Sequence, residues 1–407
     1  MFARQVYSKP KRANKVRPYK IKELFFLESY CKRAWAEVHL DRLKRNIQTI
    51  RQNLPQNTQI MAVVKADAYG HGETEILSKL TSCGIKYFAV SNLNEAVSVR
   101  KHCSDGEILI LGYTPPECAG ELIRYNIIQG IVSSEYAAVL SANAKDGRKI
   151  RCHIKIDTGM GRVGIKNDTP KQSADEAAKI IRSCNGLCVE GIYTHFAVAD
   201  SDDPDDIEYT KKQADFVTDT YDELVKLGIK LEHLHFLNSA GACYYKNERS
   251  TLARIGITMY GLYPNPALEL PYSVEPVMDF KAVISEIKTI HKGDCVSYGR
   301  TYRAEKDTVI ATVTVGYADG YSRLLSSKAD ILVRGQRCPV IGRICMDQLM
   351  IDISGINDDI HAGETVTLIG SDGTESITAD DLAGLYGTIG YEVVCGISKR
   401  VPRIYYY

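Results

Sequence analysis

The stretch "AVVKADAYGHG", residues 62–72, sets one lysine, Lys65, between an apolar run and a turn that contains two glycines. The apolar residues before Lys65 are typical of a short buried strand, so Lys65 lies at the carboxyl end of that strand. In α/β barrels the active site is built at the carboxyl ends of the strands, where a desolvated lysine can condense with an aldehyde. The stretch is therefore compatible with a barrel that has a reactive lysine, an interpretation that the rest of the chain strengthens. A solvated lysine that simply ends a strand is the alternative.

From about residue 59 to 254, short apolar runs alternate with helical patterns, which is typical of repeated βα units and a parallel sheet. Eight runs are predicted as strands: 59–64, 86–90, 107–111, 127–132, 150–156, 188–194, 231–237 and 250–255. Between them we predict helices over 73–83, 93–102, 134–144, 172–184 and 206–227. Eight βα units indicate a closed (β/α)8 barrel, and a doubly wound open sheet is the alternative.

After about residue 272 the pattern changes to β-branched runs separated by Gly, Asp and Asn turns, at 308–315, 330–333, 338–344 and 365–369. The run "AWAEVHLD", residues 34–41, alternates apolar and polar positions like an antiparallel strand. We therefore predict an α/β protein with a barrel over residues 42–272 and a mostly β C-terminal domain over residues 273–407, which strand 34–41 joins.

The composition excludes several classes of protein. Lysine plus arginine number 51 against 50 acids, so no overall charge favours nucleic acid, and 44% apolar residues support a substantial core. The twelve cysteines lack the paired spacings of a zinc site or a disulfide framework. We expect reduced thiols, a cytoplasmic protein and no metal ion.

Residues 1–33 are strongly basic, with ten lysines and arginines and two acids. No apolar run there is long enough for a signal-peptide core or a membrane span. We expect a basic N-terminal extension, either a solvated tail or a linker that follows a membrane-embedded segment and meets an anionic surface.

Further polar groups follow the later strands of the predicted barrel. The motifs are "KIDTGMGRVG" (155–164) with Lys155 and Arg162, "THFAVAD" (194–200) with His195, "HFLNSAG" (235–241) with Asn238 and Ser239, and "ARIGITMYG" (253–261) with Arg254 and Gly256. An arginine fork can bind a carboxylate, and hydroxyls with free backbone amides can bind a phosphate. A solvated arginine and a hydrogen-bonded core histidine are the structural alternatives for Arg162 and His195.

These motifs, together with "VSYG", "GYADG", "GRICMDQ" and "GYEVVC", stand in the order found in the alanine racemase family. From about residue 34 to its end the chain resembles that family, whose members are pyridoxal 5'-phosphate (PLP) enzymes of fold type III. The resemblance implies a homodimer that interconverts L- and D-alanine, with PLP as cofactor and D-alanine for cell-wall peptidoglycan as product.

The resemblance also assigns roles to single residues. Lys65 binds the PLP aldehyde and is one catalytic base, and Tyr298 is the other. The remaining cofactor-binding positions are Tyr69, His195, Asn238, Ser239, Arg254, Gly256, Ile257 and Tyr391. The substrate-binding positions are Arg162, Met346, Asp347 and Tyr317, of which the last three, like Tyr298, act in the partner subunit's site. Lys155 matches a lysine that is N-carboxylated in some members, and an unmodified lysine is the alternative. Tyr317, Arg323, Arg343, Asp200, His235 and Ile389 match positions that line the access corridor.

Substrate choice is left open by the sequence. Tyr298, Tyr391 and Met346 would crowd the substrate side chain, which favours alanine. Tyr391 also supports alanine, because we expect a smaller or more polar residue at this position in serine-acting relatives. Serine is the alternative. Related racemases of vancomycin-resistance systems act on serine and carry a membrane-embedded half before the barrel, and the basic residues 1–33 resemble the linker that follows such a half. A fold type III decarboxylase is a more distant alternative, because it also uses a lysine near a barrel strand. Arg254 argues against it, since those relatives have a carboxylate at this position.

Overall fold

The computed structural model describes residues 33–145, 147–245 and 247–407, so the predicted basic extension lies, except for Arg33, outside the described residues. Strand β1 (Ala34–His39) leads directly into helix α1 (Leu40–Asn53). Leu43, Ile47 and Ile50 recur at helical spacing and are fully buried, so one face of α1 packs on the core. Within the described ranges, no helix is both long and apolar enough to cross a membrane.

Eight parallel strands form a barrel: β2 (Gln59–Val63), β3 (Tyr87–Val90), β4 (Glu107–Ile110), β5 (Ile128–Ile131), β6 (Ile150–Lys155), β7 (Leu187–Tyr193), β8 (His233–His235) and β9 (Leu252–Ile255). Strand β2 pairs with β3 on one side and β9 on the other. A bridge between Leu237 and Ala253 joins the segment after β8 to β9, so the sheet closes on itself. The predicted barrel is confirmed, and the open sheet is excluded.

Helices follow most of the barrel strands: α2 (Glu73–Ser82), α3 (Leu93–His102), α4 (Ala119–Arg124), α5 (Ser134–Ala142), α6 (Pro170–Ser183), α7 (Pro204–Lys226) and α8 (Ser239–Tyr244). Several begin at residues suited to capping. Thr169 forms a capping box with Gln172, and Pro170 takes the first helical position. Short 3-10 turns lie at Pro116–Cys118 and Ile257–Tyr260.

Polar side chains fill the barrel interior on its later strands. His153 and Lys155 are two residues apart on β6 and therefore share a face. His153 contacts His235 of β8, and because β7 lies between these strands the contact must cross the inside of the barrel. Arg254 of β9 also reaches His235. A closed sheet thus brings together groups that are far apart in the sequence.

The remaining strands form a nine-stranded sheet with β1 and a separate two-stranded ribbon. They are β10 (Met278–Ile290), β11 (Cys295–Val296), β12 (Tyr302–Arg303), β13 (Thr308–Val313), β14 (Asp330–Val333), β15 (Gln336–Ile341), β16 (Leu349–Asp352), β17 (Thr365–Asp372), β18 (Glu375–Ile377) and β19 (Arg403–Tyr406). Helices α9 (Ala379–Tyr386) and α10 (Gly390–Gly396) and 3-10 turns at Tyr298–Arg300, Tyr317–Asp319 and Arg323–Leu325 complete this part. The fold class is therefore as predicted, a barrel followed by a mostly β domain.

Strand β1 lies between β10, with which it is antiparallel, and β19, with which it is parallel. The barrel is therefore inserted into the β sheet, between β1 and β10. Arg45 of α1 donates two hydrogen bonds to the Glu275 carboxylate, at 2.6 and 2.8 Å, just before β10 begins. The boundaries at residues 42, 272 and 273 stay predictions.

Candidate active site

Lys65 follows β2 and begins a turn of helix with the opposite hand to all the others. Ala66, Asp67, Ala68 and Tyr69 have φ angles of 53–55°, and Gly70 continues at 79°. Left-handed helix costs about 1–2 kcal/mol for each non-glycine residue, so this turn is strained. Strain of this kind is kept where the surrounding structure fixes it, often at functional sites. Because the turn carries Lys65, its geometry sets the direction of the lysine side chain.

Lys65 is half-buried at the edge of the barrel. Burial, reinforced by the positive charge of Arg162, lowers the pKa of Lys65 below that of a free lysine. Its Nζ lies 6.0 Å from the centre of the Tyr69 ring, at the limit of a cation–π contact. The lowered pKa favours the neutral amine, which is the form that attacks carbonyl groups and accepts protons.

A group of hydroxyls lies beside Gly256, at the end of β9. The Gly256 N–H donates to Ser239 Oγ at 2.9 Å, and a Cβ added at Gly256 would lie 2.6 Å from the Tyr69 hydroxyl oxygen. A side chain at position 256 would therefore occupy the space in front of the tyrosine. Tyr391, from α10, packs its ring 6.3 Å from that of Tyr69. Burial raises the pKa of both tyrosines, so they are hydrogen-bond donors at neutral pH.

Two further predicted positions flank this group. Asn238 accepts a hydrogen bond from the Gly241 N–H at 2.8 Å and caps α8, so its carbonyl oxygen has a structural role. Ile257 begins the 3-10 turn after Gly256, and its side chain is fully buried.

Arg254 is the centre of the barrel half of the site and is only 3% exposed. Nη1 donates to His235 Nδ1 at 2.8 Å, and Nη2 donates to the Thr194 carbonyl at 2.7 Å and to His195 Nδ1 at 3.3 Å. Among residues 33–145, 147–245 and 247–407, Nε makes no hydrogen bond, which leaves one donor for a ligand. Burial lowers the pKa of Arg254 to about 10, so the side chain stays charged at neutral pH.

His235 is buried deep in the barrel, so the expectation that it lines the access corridor is wrong. It is fully enclosed, stacks on Tyr193 with 4.8 Å between ring centres, and lies 2.9 Å from His153 Nδ1 through its Nε2. Because Arg254 donates to Nδ1 of His235, the proton of His235 lies on Nε2 and is donated to His153. Burial, with the charge of Arg254, lowers the pKa of His235 well below its ordinary value.

Lys155 and His195 lie close to Arg254. Lys155 is buried on β6, with its Nζ 5.8 Å from the centre of the Tyr193 ring. Burial and the charges of Arg162 and Arg254 lower its pKa to about 8. Burial and Arg254 lower the pKa of His195 well below its ordinary value. Arg162 is exposed, yet its charge acts on Lys65, Lys155 and His195, so all of these groups belong to one site.

Four predicted residues, Tyr298, Tyr317, Met346 and Asp347, form a second group, on one face of the β domain. Tyr298 stands on a turn with positive φ at Ser297, Gly299 and Arg300, and is 71% exposed. The Ser297 hydroxyl donates to the Arg343 carbonyl at 2.5 Å, which ties this turn to the segment before Met346.

The same face includes the Tyr317 turn, Met346 and Asp347. The Tyr317 N–H donates to the Cys345 carbonyl at 3.1 Å, and the Ala318 N–H donates to the Met346 carbonyl at 3.1 Å. Arg400 donates to the Asp347 carboxylate at 2.5 Å. Tyr317 and Met346 expose 42% and 52% of their surface, so with Tyr298 they form a group of exposed apolar side chains on this face.

The structure thus brings the predicted residues together as two groups, one in the barrel and one on the β domain. Sequence reasoning missed His153 and Tyr193, which line the barrel interior behind Arg254. Their signal was the two-residue spacing of polar side chains, as between His153 and Lys155 on β6. It also missed Glu95, whose carboxylate accepts a hydrogen bond from the Ala66 N–H at 2.9 Å.

Comparison with known proteins agrees with this arrangement. The family models for the alanine racemase N-terminal and C-terminal domains match residues 38–264 and 277–405. The alanine racemase of Clostridium novyi (strain NT) is 40% identical over 373 residues, which cover 91% of this chain and 95% of that protein. The structure of alanine racemase from Bacillus anthracis with bound L-Ala-P has a TM-score of 0.86 and 34% identity, and the match covers 92% of this chain and 95% of that one.

A histidine racemase from Leuconostoc mesenteroides subsp. sake shares the same architecture, with a TM-score of 0.83 and 28% identity over 93% of this chain and 99% of that one. The architecture therefore serves more than one amino acid. The two family models together span nearly all of the described chain, in the order of the barrel and the β domain. The resemblance noted from the motifs is confirmed, and the chain belongs to the alanine racemase family.

Proposed function

We propose that this chain is a PLP-dependent alanine racemase that interconverts L- and D-alanine with two bases. The observation that carries the proposal is the pairing of a half-buried lysine of lowered pKa with a buried arginine at neighbouring strand ends. A carboxylate in place of Arg254 would favour the decarboxylase alternative. Arg254 therefore argues for racemisation, and a cofactor-free isomerase would leave the donor set around Gly256 without a use.

The barrel residues fit PLP. Lys65 Nζ is the amine for its aldehyde, while the Tyr69 and Ser239 hydroxyls and the backbone at Gly256 and Ile257 surround a space that can hold its phosphate. These are neutral donors, so no second lysine competes for the aldehyde at that end. Arg254 Nε is a donor suited to the pyridine nitrogen. When bound, PLP would supply the electron sink for the electron pair left at the substrate α carbon.

The two bases move the α proton between opposite faces of the substrate. We propose that Lys65 Nζ takes or returns the proton on one face, because burial and Arg162 lower its pKa and so favour the neutral amine. Tyr298 Oη serves the other face. Because the Arg254 guanidinium does not give up its proton, it would limit charge delocalisation into the pyridine ring of bound PLP. The reacting carbon is then reprotonated before other reactions compete.

We propose a homodimer in which the β domain of one copy covers the barrel of the other. Its support is the exposure of Tyr298, Tyr317 and Met346, since proton transfer requires a site from which water is excluded. Apolar side chains with this exposure, grouped on one face, are typical of an interface. Each active site would then combine Lys65 of one copy with Tyr298 of another, and Arg162 and the Met346 backbone would bind the substrate carboxylate.

A variant mixture tests this shared site. We expect Lys65→Ala and Tyr298→Phe proteins, each impaired alone, to regain activity when they are unfolded and refolded together. Random pairing gives a mixed dimer with one intact site, so about one quarter of the wild-type rate should return. If both residues come from one chain, the mixture stays as inactive as its parts, which would contradict the proposed arrangement.

Lys155 is proposed to carry a carbamate. It is buried between two arginine charges, and its pKa of about 8 makes a useful fraction of the amine neutral at pH 7.4. The ammonium first loses one proton, and the neutral amine then adds carbon dioxide and releases a second proton, so a third positive charge beside the two arginines becomes a negative one. Carbon-13 NMR of the folded protein in labelled bicarbonate should show a carbamate signal that Lys155→Ala lacks. An identical spectrum for both proteins would contradict the modification.

Alanine is the proposed substrate, and serine is the alternative. Tyr391 packs against Tyr69 at the cofactor and limits the room for a larger side chain. A tight pocket discriminates against one added hydroxyl by only about 100-fold, so weak serine turnover is compatible with the proposal. We further propose that the enzyme acts in the cytoplasm and supplies D-alanine for peptidoglycan. The eleven described cysteines are all free, which supports a reducing compartment.

The decisive experiment follows the substrate α proton in deuterated water. The purified protein is incubated separately with L-alanine and L-serine, and deuterium at the α carbon and optical rotation are measured. We expect deuterium in alanine, loss of rotation, and a visible absorbance band from the bound cofactor. Absence of deuterium from both amino acids would refute the racemase proposal, and release of carbon dioxide would instead favour a decarboxylase.

A further inference from the structure

Glu95 joins two neighbouring loops at the catalytic edge of the barrel. It lies in the first turn of α3, in the N3 position, where an acid normally accepts a hydrogen bond from its own helix cap. Here Oε2 accepts from the N–H and the hydroxyl of Ser91, both at 2.8 Å. Oε1 reaches across to the preceding βα loop and accepts from the Ala66 N–H at 2.9 Å. One carboxylate thus serves its own helix and the residue next to Lys65.

Ala66 is the first residue of the left-handed turn, and its N–H is the first amide of that turn. Inside the turn, the Ala68 N–H donates to the Val64 carbonyl and the Gly70 N–H donates to the Ala66 carbonyl, both at 3.0 Å. The N–H of Ala66 makes its hydrogen bond to Glu95 instead. A turn of non-glycine residues in this conformation is held only if contacts outside it fix its ends. Glu95 provides such a contact at the end nearest Lys65.

The other end of the turn is fixed from the β domain. Arg403 Nε donates to the Gly70 carbonyl at 3.0 Å, and the Tyr405 hydroxyl donates to the His71 carbonyl at 3.2 Å. A Cβ at Gly70 would lie 2.4 Å from the Val394 carbonyl oxygen, so the backbone there is in close contact with α10. With that end anchored, the Glu95 contact determines how the peptide after Lys65 is oriented.

We propose that Glu95 is a positioning residue for Lys65, which acts by holding the Ala66 N–H and so fixing the direction in which the Lys65 side chain leaves the backbone. The role rests on the proposed function, because it concerns the reach of Lys65 to the cofactor and the substrate α carbon. Glu95 does not act as a base. Its charge faces Lys65 and opposes the lowering of the lysine pKa by burial and Arg162, which is a separate effect.

Glu95→Ala tests the role, with the holoenzyme as starting material. Misplacement of a reacting group costs up to about 100-fold, so we expect kcat for alanine to fall about 10- to 100-fold. KM should change less than about two-fold, since Glu95 is not among the residues proposed to bind the substrate carboxylate. Hydrogen exchange of the peptide covering residues 62–72 should become about 10-fold faster, because the turn loses one anchor.

Asp381→Ala is the matched control. Asp381 occupies the N3 position of α9 and caps only its own helix, accepting from the Thr378 N–H at 2.8 Å. The Asp381→Ala variant, like Glu95→Ala, loses a carboxylate at the N3 position of a helix. It therefore reproduces the loss of folding stability that comes from removing a helix cap. We expect its kcat and the exchange of residues 62–72 to match wild type. If Glu95→Ala behaves like Asp381→Ala in both measurements, the positioning role is refuted.

Glu95→Gln separates the hydrogen bond from the charge. Its amide oxygen can still accept from the Ala66 N–H, and its NH2 group can donate to the Ser91 hydroxyl, although the hydrogen bond from the Ser91 N–H is lost. Because the contact to Ala66 is kept, most of the lost kcat and exchange protection should return. Equal impairment of the Gln and Ala variants would refute positioning in favour of a charge effect. If Glu95→Ala does not fold, Glu95→Asp takes its place, since it keeps the charge but is too short to reach both loops. Wild-type kcat and exchange in Glu95→Asp would refute the role.

Failure of the proposed function gives a different result. A wild-type protein that exchanges the α proton of neither alanine nor serine would refute racemisation, and the kcat comparison would not be made. The exchange of residues 62–72 in the Glu95 and Asp381 variants would still show whether Glu95 fixes the turn.

Discussion

The two groups of site residues differ in what holds them in place. In the barrel, Arg254 is enclosed and makes hydrogen bonds to two histidines and a carbonyl, and Lys65 stands on a turn anchored at both ends. On the β domain, the backbone under Tyr298 and Met346 is equally well tied down, but their side chains face solvent. The barrel group is thus organised within one chain, whereas the β-domain group has rigid supports and exposed functional atoms.

Both groups share strained backbone next to the proposed base. Lys65 precedes four left-handed residues, and Tyr298 lies between Ser297 and Gly299, which have φ angles of 65° and 74°. In each case the backbone conformation sets the direction in which the side chain of the base leaves the chain. The groups therefore differ in how far their side chains are shielded from solvent. In the proposed homodimer, a second copy of the chain would shield the β-domain group.

Removal of Lys65 should have the largest effect. We expect Lys65→Ala to lower racemisation about 10⁴-fold or more and to leave the purified protein without its visible absorbance band. Lys155→Ala is the control, because its lysine is also buried near Arg254 but is not proposed to attach the cofactor. Spectra recorded after dialysis decide the matter. A persistent visible band in Lys65→Ala would mean that another residue holds the cofactor.

Tyr298→Phe should have the next largest effect and keep the visible band. The direction that needs Tyr298 to remove the proton should slow about 10²- to 10⁴-fold, the usual contribution of general acid–base catalysis. Exchange of the α proton of the opposite enantiomer, which needs only Lys65, should persist. The measurement is deuterium incorporation from each enantiomer separately. Equal losses from both would contradict the assignment of one base to each face.

Gly256→Ala should weaken cofactor binding by about 10-fold, since the new Cβ crowds the Tyr69 hydroxyl and displaces one donor. Fluorescence titration of the apoprotein with PLP measures this. Gly384→Ala is the matched control, because a Cβ at that glycine meets no atom within 4 Å. Equal affinities in the two variants would show that the space beside Tyr69 is not used by the cofactor.

The smallest expected effect concerns pH and the interior of the barrel group. Burial lowers the pKa of His153 to about 3, so the folded protein keeps it neutral while the unfolded chain takes up a proton below about pH 6.5. Stability is therefore fully present above pH 6.5 and is lost as the pH falls towards 3. Between pH 7.5 and 5.5, this one group should remove about 1.4 kcal/mol from the free energy of unfolding.

Urea unfolding of His153→Gln at both pH values checks this contribution. Glutamine keeps an acceptor for the His235 N–H but does not titrate, so the fall in stability between the two pH values should shrink by the same amount. An unchanged fall would mean that His153 is not kept neutral by its surroundings.

Much of the fold follows from periodicity in the sequence. Short apolar runs at regular spacing predicted all eight barrel strands, because strands of a parallel sheet are buried on both faces. Strand β10 was not predicted, since Lys281, Glu286 and Lys288 interrupt its apolar pattern and it follows a proline-containing stretch. Its thirteen residues are held by pairing with β1, β13 and β17, which are tertiary partners that a local pattern does not show.

The site residues that lie in sequence motifs were predictable. The contacts between them that depend on closure of the barrel were not. Lys65 and Arg254 stand at strand ends that the pattern locates, but their supports come from other strands and loops. His235 of β8 meets Arg254 of β9 only because the sheet closes, and its place inside the barrel was missed for the same reason. The left-handed turn was missed because Ala, Asp and Tyr disfavour that conformation, which is maintained by tertiary contacts, among them those to Glu95 and Arg403.

Insertion of the barrel between β1 and β10 has a consequence for the order in which the molecule is assembled. Arg403, in the last strand, anchors the Gly70 carbonyl from 333 positions further along the chain. During synthesis, the barrel strands and Lys65 leave the ribosome long before β19 does. The loop that aims the lysine can reach its final geometry only after β19 has docked beside β1. A shortened chain that lacks β19 would carry every barrel residue of the site and still present a misdirected lysine.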